Sequence, residues 1–320
     1  MPKKGKIKLL QNNVALFGQL YIAMQNRQSD LGEFFSHEIQ SFPPSLSDLG
    51  MLHLPGTKSD LLRCLGQPMK EEPPSTYDCK VLDGAVIVHC LPTFNVTTFD
   101  MYADVVFIPH LEIQLQDTNR LDIVWDAYIS DSLKESTREK RAKGIRRKVS
   151  GSTKIPGNWQ NFLGDPVNKK ELFAFLTSKI ESFHRPPTNK VYVTSGQGVS
   201  ACGSSVQMDD CNHEEADTKI MVHIRHALEQ DARTVQVRTV DTDVVVILIG
   251  VFCDLVNIQP SSEFWIAFGM GKHYRMLHIN SIFQSLGESR SRALPVFHAF
   301  SGSDTISSFH GKGKKSAWQA

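Results

Sequence analysis

At 320 residues the chain has the length for one large domain or two smaller ones, and 41% hydrophobic with 22% charged residues excludes a disordered polymer. A formal net charge of +1 excludes a global field aimed at a polyanion, so any nucleic-acid contact must come from local patches. The longest apolar run, Val244 to Cys253, has ten residues, whereas a membrane span needs roughly twenty.

The start, Met-Pro-Lys-Lys-Gly-Lys, lacks the apolar stretch of a secretory signal, and its basic residues at 3, 4, 6 and 8 suit an intracellular protein, nuclear rather than cytoplasmic. Six cysteines without a C-x-x-C spacing argue against a zinc site or a disulfide framework and for a reducing compartment. Residues 1–80 read as a mainly helical leader: a packed helix over Ala15 to Met24, a break at Pro43-Pro44, a short helix over Ser59 to Leu65 and a linker at Glu71-Glu72-Pro73-Pro74.

From Val81 onward strands alternate with helices. Val81 to Leu91 is a short β-rich run followed by helix-tolerant residues, and Ala103 to Pro109 and Leu121 to Trp125 read as buried strands. Lys134 to Lys148 reads as a basic helix and Pro156 to Trp159 as a loop. Glu171 to Ser182 carries apolar residues at 172, 173, 176 and 180, a helical period. Lys190 to Thr194 is a predicted strand, and the Gly/Ser-rich Ser195 to Asp209 a surface loop. Asn212 is placed to cap a helix reaching about Gln230. Thr234 to Val240 is a strand closed by Asp241-Thr242-Asp243; the apolar Val244 to Asp254 that follows fits helix or strand equally. Phe264 to Phe268 is a strand, and Ile279 to Leu286 and Ala293 to Phe300 are helices. The alternation predicts an α/β fold with a mostly parallel central sheet.

Several acids stand where predicted strands end. Asp83, Asp126, Asp241 and Asp243 are so placed, and ligands of open α/β sheets bind beyond the carboxyl ends of the strands. Two carboxylates about 5 Å apart repel by roughly 3 kcal/mol at an effective dielectric of 20, so a convergent set raises its pKa values or binds cations. An all-oxygen set suits Mg²⁺ or Mn²⁺ rather than zinc. Each acid also has an ordinary structural role open to it, as a turn residue or in a helix's first turn. The functional case rests on the set and its order.

That order is Val81-Leu82-Asp83-Gly84-Ala85, then Val124-Trp125-Asp126, then Lys134 and Arg141. Next come His213-Glu214-Glu215-Ala216-Asp217, Val240-Asp241-Thr242-Asp243 with Gly250, Ser301-Gly302-Ser303-Asp304 and His310-Gly311-Lys312-Gly313-Lys314-Lys315. From about residue 81 to the end this series resembles the flap-endonuclease/XPG-type branch of the PIN-like nucleases. The stretch His278 to Gly287 is similar to the helix preceding that family's last acid. The resemblance implies a three-layer PIN-like sandwich with a mostly parallel central sheet over residues 81–320; the helical leader read above precedes it. It implies a basic arch or cap insert at about 130–211 and the start of a helix-two-turn-helix at 306–320. It also implies two Mg²⁺ or Mn²⁺ ions, one held by Asp83, Asp126, Glu215 and Asp217, the other held or oriented by Asp217, Asp241, Asp243 and Asp304. Lys134 and Arg141 correspond to the arch residues that reach the scissile phosphate, and Lys312, Lys314 and Lys315 to the turn that grips duplex backbone. The sequence departs from the family in its 80-residue leader and over 144–211. Because it stops inside the duplex-binding helix, it reads as a fragment or a shortened gene model.

Lys134 to Lys148 holds eight basic residues against two glutamates, a local charge of +6. In a helix, Lys134, Arg138, Arg141 and Lys148 share one face, a stripe that can neutralise phosphates. A solvated helix or a localisation signal is the ordinary alternative. No zinc-protease, nucleophile-elbow or P-loop pattern is present. The expectation is a metal-dependent endonuclease acting on DNA in preference to RNA, with no membrane partner. The alternatives are an inactive nucleic-acid-binding or scaffold protein on the same fold and a PIN-type RNase.

Overall fold

The computed structural model describes residues 4–25, 30, 32–33, 36–37, 42–48, 50–53, 58–66, 72–128, 144–183, 189–196, 198–201, 204–208, 213–303 and 306–320. The chain divides into two units, Met1–Cys64 with Val296–Ala320, and Leu65–Pro295.

The first unit opens with helix α1, Lys4–Met24. The stretch expected as a packed helix lies inside it, but Phe17 is 55% and Ile22 71% exposed. An antiparallel ribbon, β1 (Ser47–Asp48) and β2 (Met51–Leu52), and a short helix α2 (Asp60–Cys64) follow. The C-terminal segment is tied to the ribbon's neighbours: Ser308 N donates to His53 O at 2.8 Å and His310 N to Ser45 O at 2.7 Å.

The second unit is built on an eight-stranded sheet. Its strands are β3 (Tyr77–Asp83), β4 (Thr118–Val124), β5 (Lys190–Ser195), β6 (Gly198–Ala201), β7 (Ser204–Val206), β8 (Thr234–Thr239), β9 (Glu263–Phe268) and β10 (Arg275–His278). Their order across the sheet is β10-β9-β8-β3-β4-β5-β6-β7. The five central strands, β9 to β5, run parallel, while β10, β6 and β7 add antiparallel edges. Central strands of such a sheet are covered on both faces, which is why β3 and β4 are each buried over five consecutive residues. Leu82, Leu121, Ile123, Val191 and Val193 point to one face. There they meet α3 (Gly84–Cys90), the helical run α4 (Phe99–Tyr102, a π turn Ala103–Phe107, then Ile108–Gln114), α5 (Trp159–Leu163) and α6 (Pro166–Ser182). Asp122 points to the other face, where His223 of α7 (Ala216–Glu229) donates to or accepts from it at 2.7 Å. The remaining helices are α8 (Thr242–Gly250), α9 (Phe252–Ile258), α10 (Ile279–Leu286) and α11 (Glu288–Phe300). The fold is therefore α/β with a mostly parallel central sheet, as the alternation predicts. Among the described residues no helix is long and apolar enough to cross a membrane.

Capping decides the elements that periodicity left open or misread. Ala103–Pro109 is helical, not a strand, because Thr98 caps the run from Phe99 by accepting from Met101 N at 3.2 Å. Val244 to Asp254 is helical for the same reason: Asp241 accepts from Asp243 N at 2.9 Å and starts α8 despite its β-branched run. Ser195–Asp209 is not a plain surface loop, since β6 and β7 lie in it. Ser195 pairs with Gly198 across a tight turn that Gly196 enables with φ +62°. Helix α7 takes Glu215, not Asn212, as its N-cap, and Asn212 lies outside the described residues. In the basic stretch, the described part, 144–148, is not helical.

Candidate functional site

Counting only the parallel strands in chain order, the sheet reads 3-2-1-4-5 from β5 to β9. The direction of winding reverses between β3 and β8, and the crevice at the carboxyl ends of those two strands is where such folds bind ligands. A pocket of about 410 Å³ opens there, lined by Asp83, Asp126, Glu215, Asp217 and Asp241. Asp243 joins them: carboxylate oxygens of Asp217, Asp241 and Asp243 lie within 4.8 Å of one another.

Local backbone chemistry puts these groups there. Asp83 ends β3 and caps α3, accepting from Val86 N at 3.1 Å. Asp241 follows β8 and caps α8. Helix α7 is capped from a different strand, because Ala216 N donates to Asp126 Oδ1 at 2.9 Å. Ala127 N donates to Glu214 O at 2.7 Å, which ties the end of β4 to the start of α7. Three helix N-termini therefore aim their partial positive charge at the acids, which offsets part of the repulsion. Thr239 joins two of the acids: its Oγ1 donates to Asp83 Oδ2 at 3.1 Å and accepts from Asp241 N at 3.0 Å.

The offset is incomplete. Burial, then the charge of Asp126, pushes Asp83 up to about 7, against the hydrogen bonds from Val86 and Thr239. Burial, then the charges of Asp241, Glu215, Asp83 and Asp243, pushes Asp217 up to about 9. Such a site gains from any added positive charge. Its acids offer hard carboxylate oxygens, and among the described residues no cysteine lines the pocket, a set that fits Mg²⁺ or Mn²⁺.

Of the acids expected from sequence, the structure brings together 83, 126, 215, 217, 241 and 243. Asp304, Lys134, Arg138 and Arg141 lie outside the described residues. Lys148 is exposed on a non-helical segment, so the four-residue helical stripe does not extend to it. Lys312 and Lys315 are exposed. Lys314 requires a correction: it is 2% exposed, its Nζ donating to His298 O at 2.7 Å and Ser301 Oγ at 3.1 Å, which removes it from any phosphate.

The pocket also contains groups that sequence reasoning passed over. His89 and Gln160 line it, with His89 Nδ1 3.0 Å from Gln160 Oε1, and burial holds the imidazole below its ordinary pKa. Met270 lines it from the β9–β10 connection. Arg238 holds that connection by donating to Ala267 O at 2.9 Å and Gly269 O at 2.7 Å. Below the site, buried Asp122 accepts from Arg120 Nε at 2.8 Å and Nη2 at 2.7 Å. Burial alone would raise Asp122, but the Arg120 charge and hydrogen bonds hold it below the usual carboxylate range. Nothing in their sequence neighbourhood marks these residues. Only His89, six positions after Asp83 on a capped helix, carried a signal that could have found it.

Compared with known proteins, the chain matches no family model and no curated protein.

Proposed function

We propose that this chain is a Mg²⁺- or Mn²⁺-dependent nuclease on a PIN-like fold of the flap-endonuclease type, cutting phosphodiesters of DNA. One observation carries the reading: carboxylates that follow β3, β4 and β8 and open α7 converge on one pocket at the switch point of a parallel sheet. Asp83, Asp126, Glu215 and Asp217 would hold one ion, and Asp217, Asp241 and Asp243 the second. When bound, such ions supply positive charge that neutralises the acids and polarises a phosphodiester. The protein's part is to hold that charge in fixed geometry, through the Thr239 bridge and the three capped helices, and to admit a phosphate from the open side of the pocket. Lys134 and Arg141 would add charge at the same phosphate.

The test is the purified chain with Mg²⁺ or Mn²⁺ on flap, nicked and single-stranded DNA and on RNA. The expectation is metal-dependent cleavage of DNA, reduced about a hundredfold or more in Asp241→Ala/Asp243→Ala. Full activity in that variant would defeat the assignment. Cleavage of RNA alone would move the chain to the PIN-type RNases. A folded protein that takes up no Mn²⁺ and cuts nothing would be a scaffold.

A further inference from the structure

Asp126 also lines a second cavity, of about 490 Å³. Its floor is aromatic. Trp125 stacks on Phe173 with centroids 4.4 Å apart and planes 16° apart, and Tyr128 lies 6.2 Å from Phe173 at 37°. The stack is fixed: Trp125 is 4% exposed, its Nε1 donates to Thr177 Oγ1 at 3.1 Å and its N to Thr194 Oγ1 at 2.7 Å. Tyr128 is half-buried, whereas Trp125 and Phe173 are each 4% exposed. Ser195 and Gly196 add a hydroxyl and backbone groups to the wall, and Glu181 an acceptor. Lys170, also lining the cavity, is exposed and forms no ion pair among the described residues.

A half-buried tyrosine ring beside a fixed aromatic stack, edge donors and acceptors and one cation at the rim match a single heteroaromatic base with its phosphate better than an aliphatic or peptide ligand. Because Asp126 lines both cavities, a strand with a phosphate in the first can place a neighbouring base in the second. We infer that the second cavity receives one unpaired nucleobase of the strand being cut, stacked against Tyr128, with Lys170 on its phosphate. This inference rests on the nuclease reading.

The test scans a short single-stranded DNA with one abasic site at each position in turn. Affinity is measured with the intact chain in EDTA and in Mg²⁺, and cleavage in Mg²⁺ or Mn²⁺. One position is expected to lower affinity and kcat/KM by about fivefold to a hundredfold, the range one base–aromatic stack is worth, and it should adjoin the cut. Tyr128→Ala should abolish that position dependence, and Lys170→Ala should reduce the salt dependence of binding. The abasic scan needs no variant, and circular dichroism checks that Tyr128→Ala is folded. Position-dependent binding without cleavage would sink the nuclease reading and leave the base site standing. Cleavage or binding indifferent to every abasic position, or equally position-dependent in folded Tyr128→Ala, overturns the base site. Neither binding nor cleavage overturns both.

Discussion

At the scale of single residues, the acids are held as much by neutral donors as by any counter-charge, and Thr239 is the clearest case. Thr239→Val keeps the shape but removes both the donor to Asp83 and the acceptor for Asp241 N. Because Thr239 is fully buried, the abandoned groups cannot turn to water. The substitution should destabilise by about 1–3 kcal/mol and weaken Mn²⁺ uptake. Chemical denaturation and a metal titration read the two effects, and a variant as stable as the parent would show that the bridge is idle. Asp217 sets a pH dependence whose sign is definite. Unfolded, it ionises near 3.8, whereas folded it keeps its proton up to about 9. The folded chain therefore binds the extra proton across that window, so in chelator stability falls as pH rises through it. Asp83 adds the same slope between 3.8 and about 7. Asp217→Asn mimics the protonated acid. It should flatten the profile and raise Tm at pH 8 in EDTA by several degrees, at about 2–4 °C per kcal/mol for a unit of this size. A wild-type Tm that holds level from pH 5 to 9 in EDTA, or an Asn variant melting lower, would contradict this. The acids were legible in sequence because a carboxylate at a strand end is an exposed pattern. Thr239 was not, since a threonine in a strand looks the same whether or not it bridges two aspartates.

Elements were legible where one signal dominated. β8, β9 and α10 stand close to where their hydrophobic runs place them, because runs of that length flanked by turn residues have few other solutions; β3 starts at Tyr77, four residues before the expected run and inside the stretch read as leader. The misread segments share a cause: the deciding group lies at the edge of the run, not within it. Thr98 turns a β-branched stretch into α4, and Gly196 turns a Gly/Ser-rich stretch into a hairpin. β10 was missed because Arg275 to His278 is too short to show an alternation, and its partner is β9. Close approach between elements is equally invisible in sequence. Gly84, the first residue of α3, sits against the Trp125 ring, and a Cβ there would lie 2.2 Å from Cε3. Trp125 has no room to retreat, with Phe173 stacked on it and Thr177 on its indole nitrogen. Gly84→Ala should therefore cost about 1–3 kcal/mol by overpacking. It should also displace Asp126, the next residue after Trp125, and so lower metal affinity more than a remote variant of equal stability does. Paired denaturation and Mn²⁺ titration of Gly84→Ala and a remote variant such as Leu111→Val compare the two, and equal metal affinity at equal stability would separate the ring from the site.

At the scale of the molecule, the alternation of strands and helices was enough for a parallel α/β sheet, but the order of its strands was not in the sequence. Order depends on pairings such as Cys79 with Val235, more than 150 residues apart, which no local pattern encodes. It is that pairing of β3 with β8 that makes one site out of acids from four stretches of chain. The consequence is a linkage between metal and fold. If the acids are brought together only in the native state, ions bind the native chain and not the unfolded one, and stability rises by RT ln(1 + [M]/Kd), about 2.7 kcal/mol at a hundredfold excess over Kd. For a unit of this size that corresponds to a Tm increase of roughly 5–10 °C per ion. The increase should be the same with Mg²⁺ and Mn²⁺ once each is scaled to its own Kd. It should shrink towards zero near pH 4, where a site with two acids shifted upward holds protons instead of cations. It should be largely absent in Asp241→Ala/Asp243→Ala, which removes both carboxylates that cluster with Asp217. Scanning calorimetry with and without metal measures all three. Equal Tm shifts in the parent and the double variant would mean that the ions act on the general surface, and the convergence of the acids would then be a feature of the fold with no cation behind it.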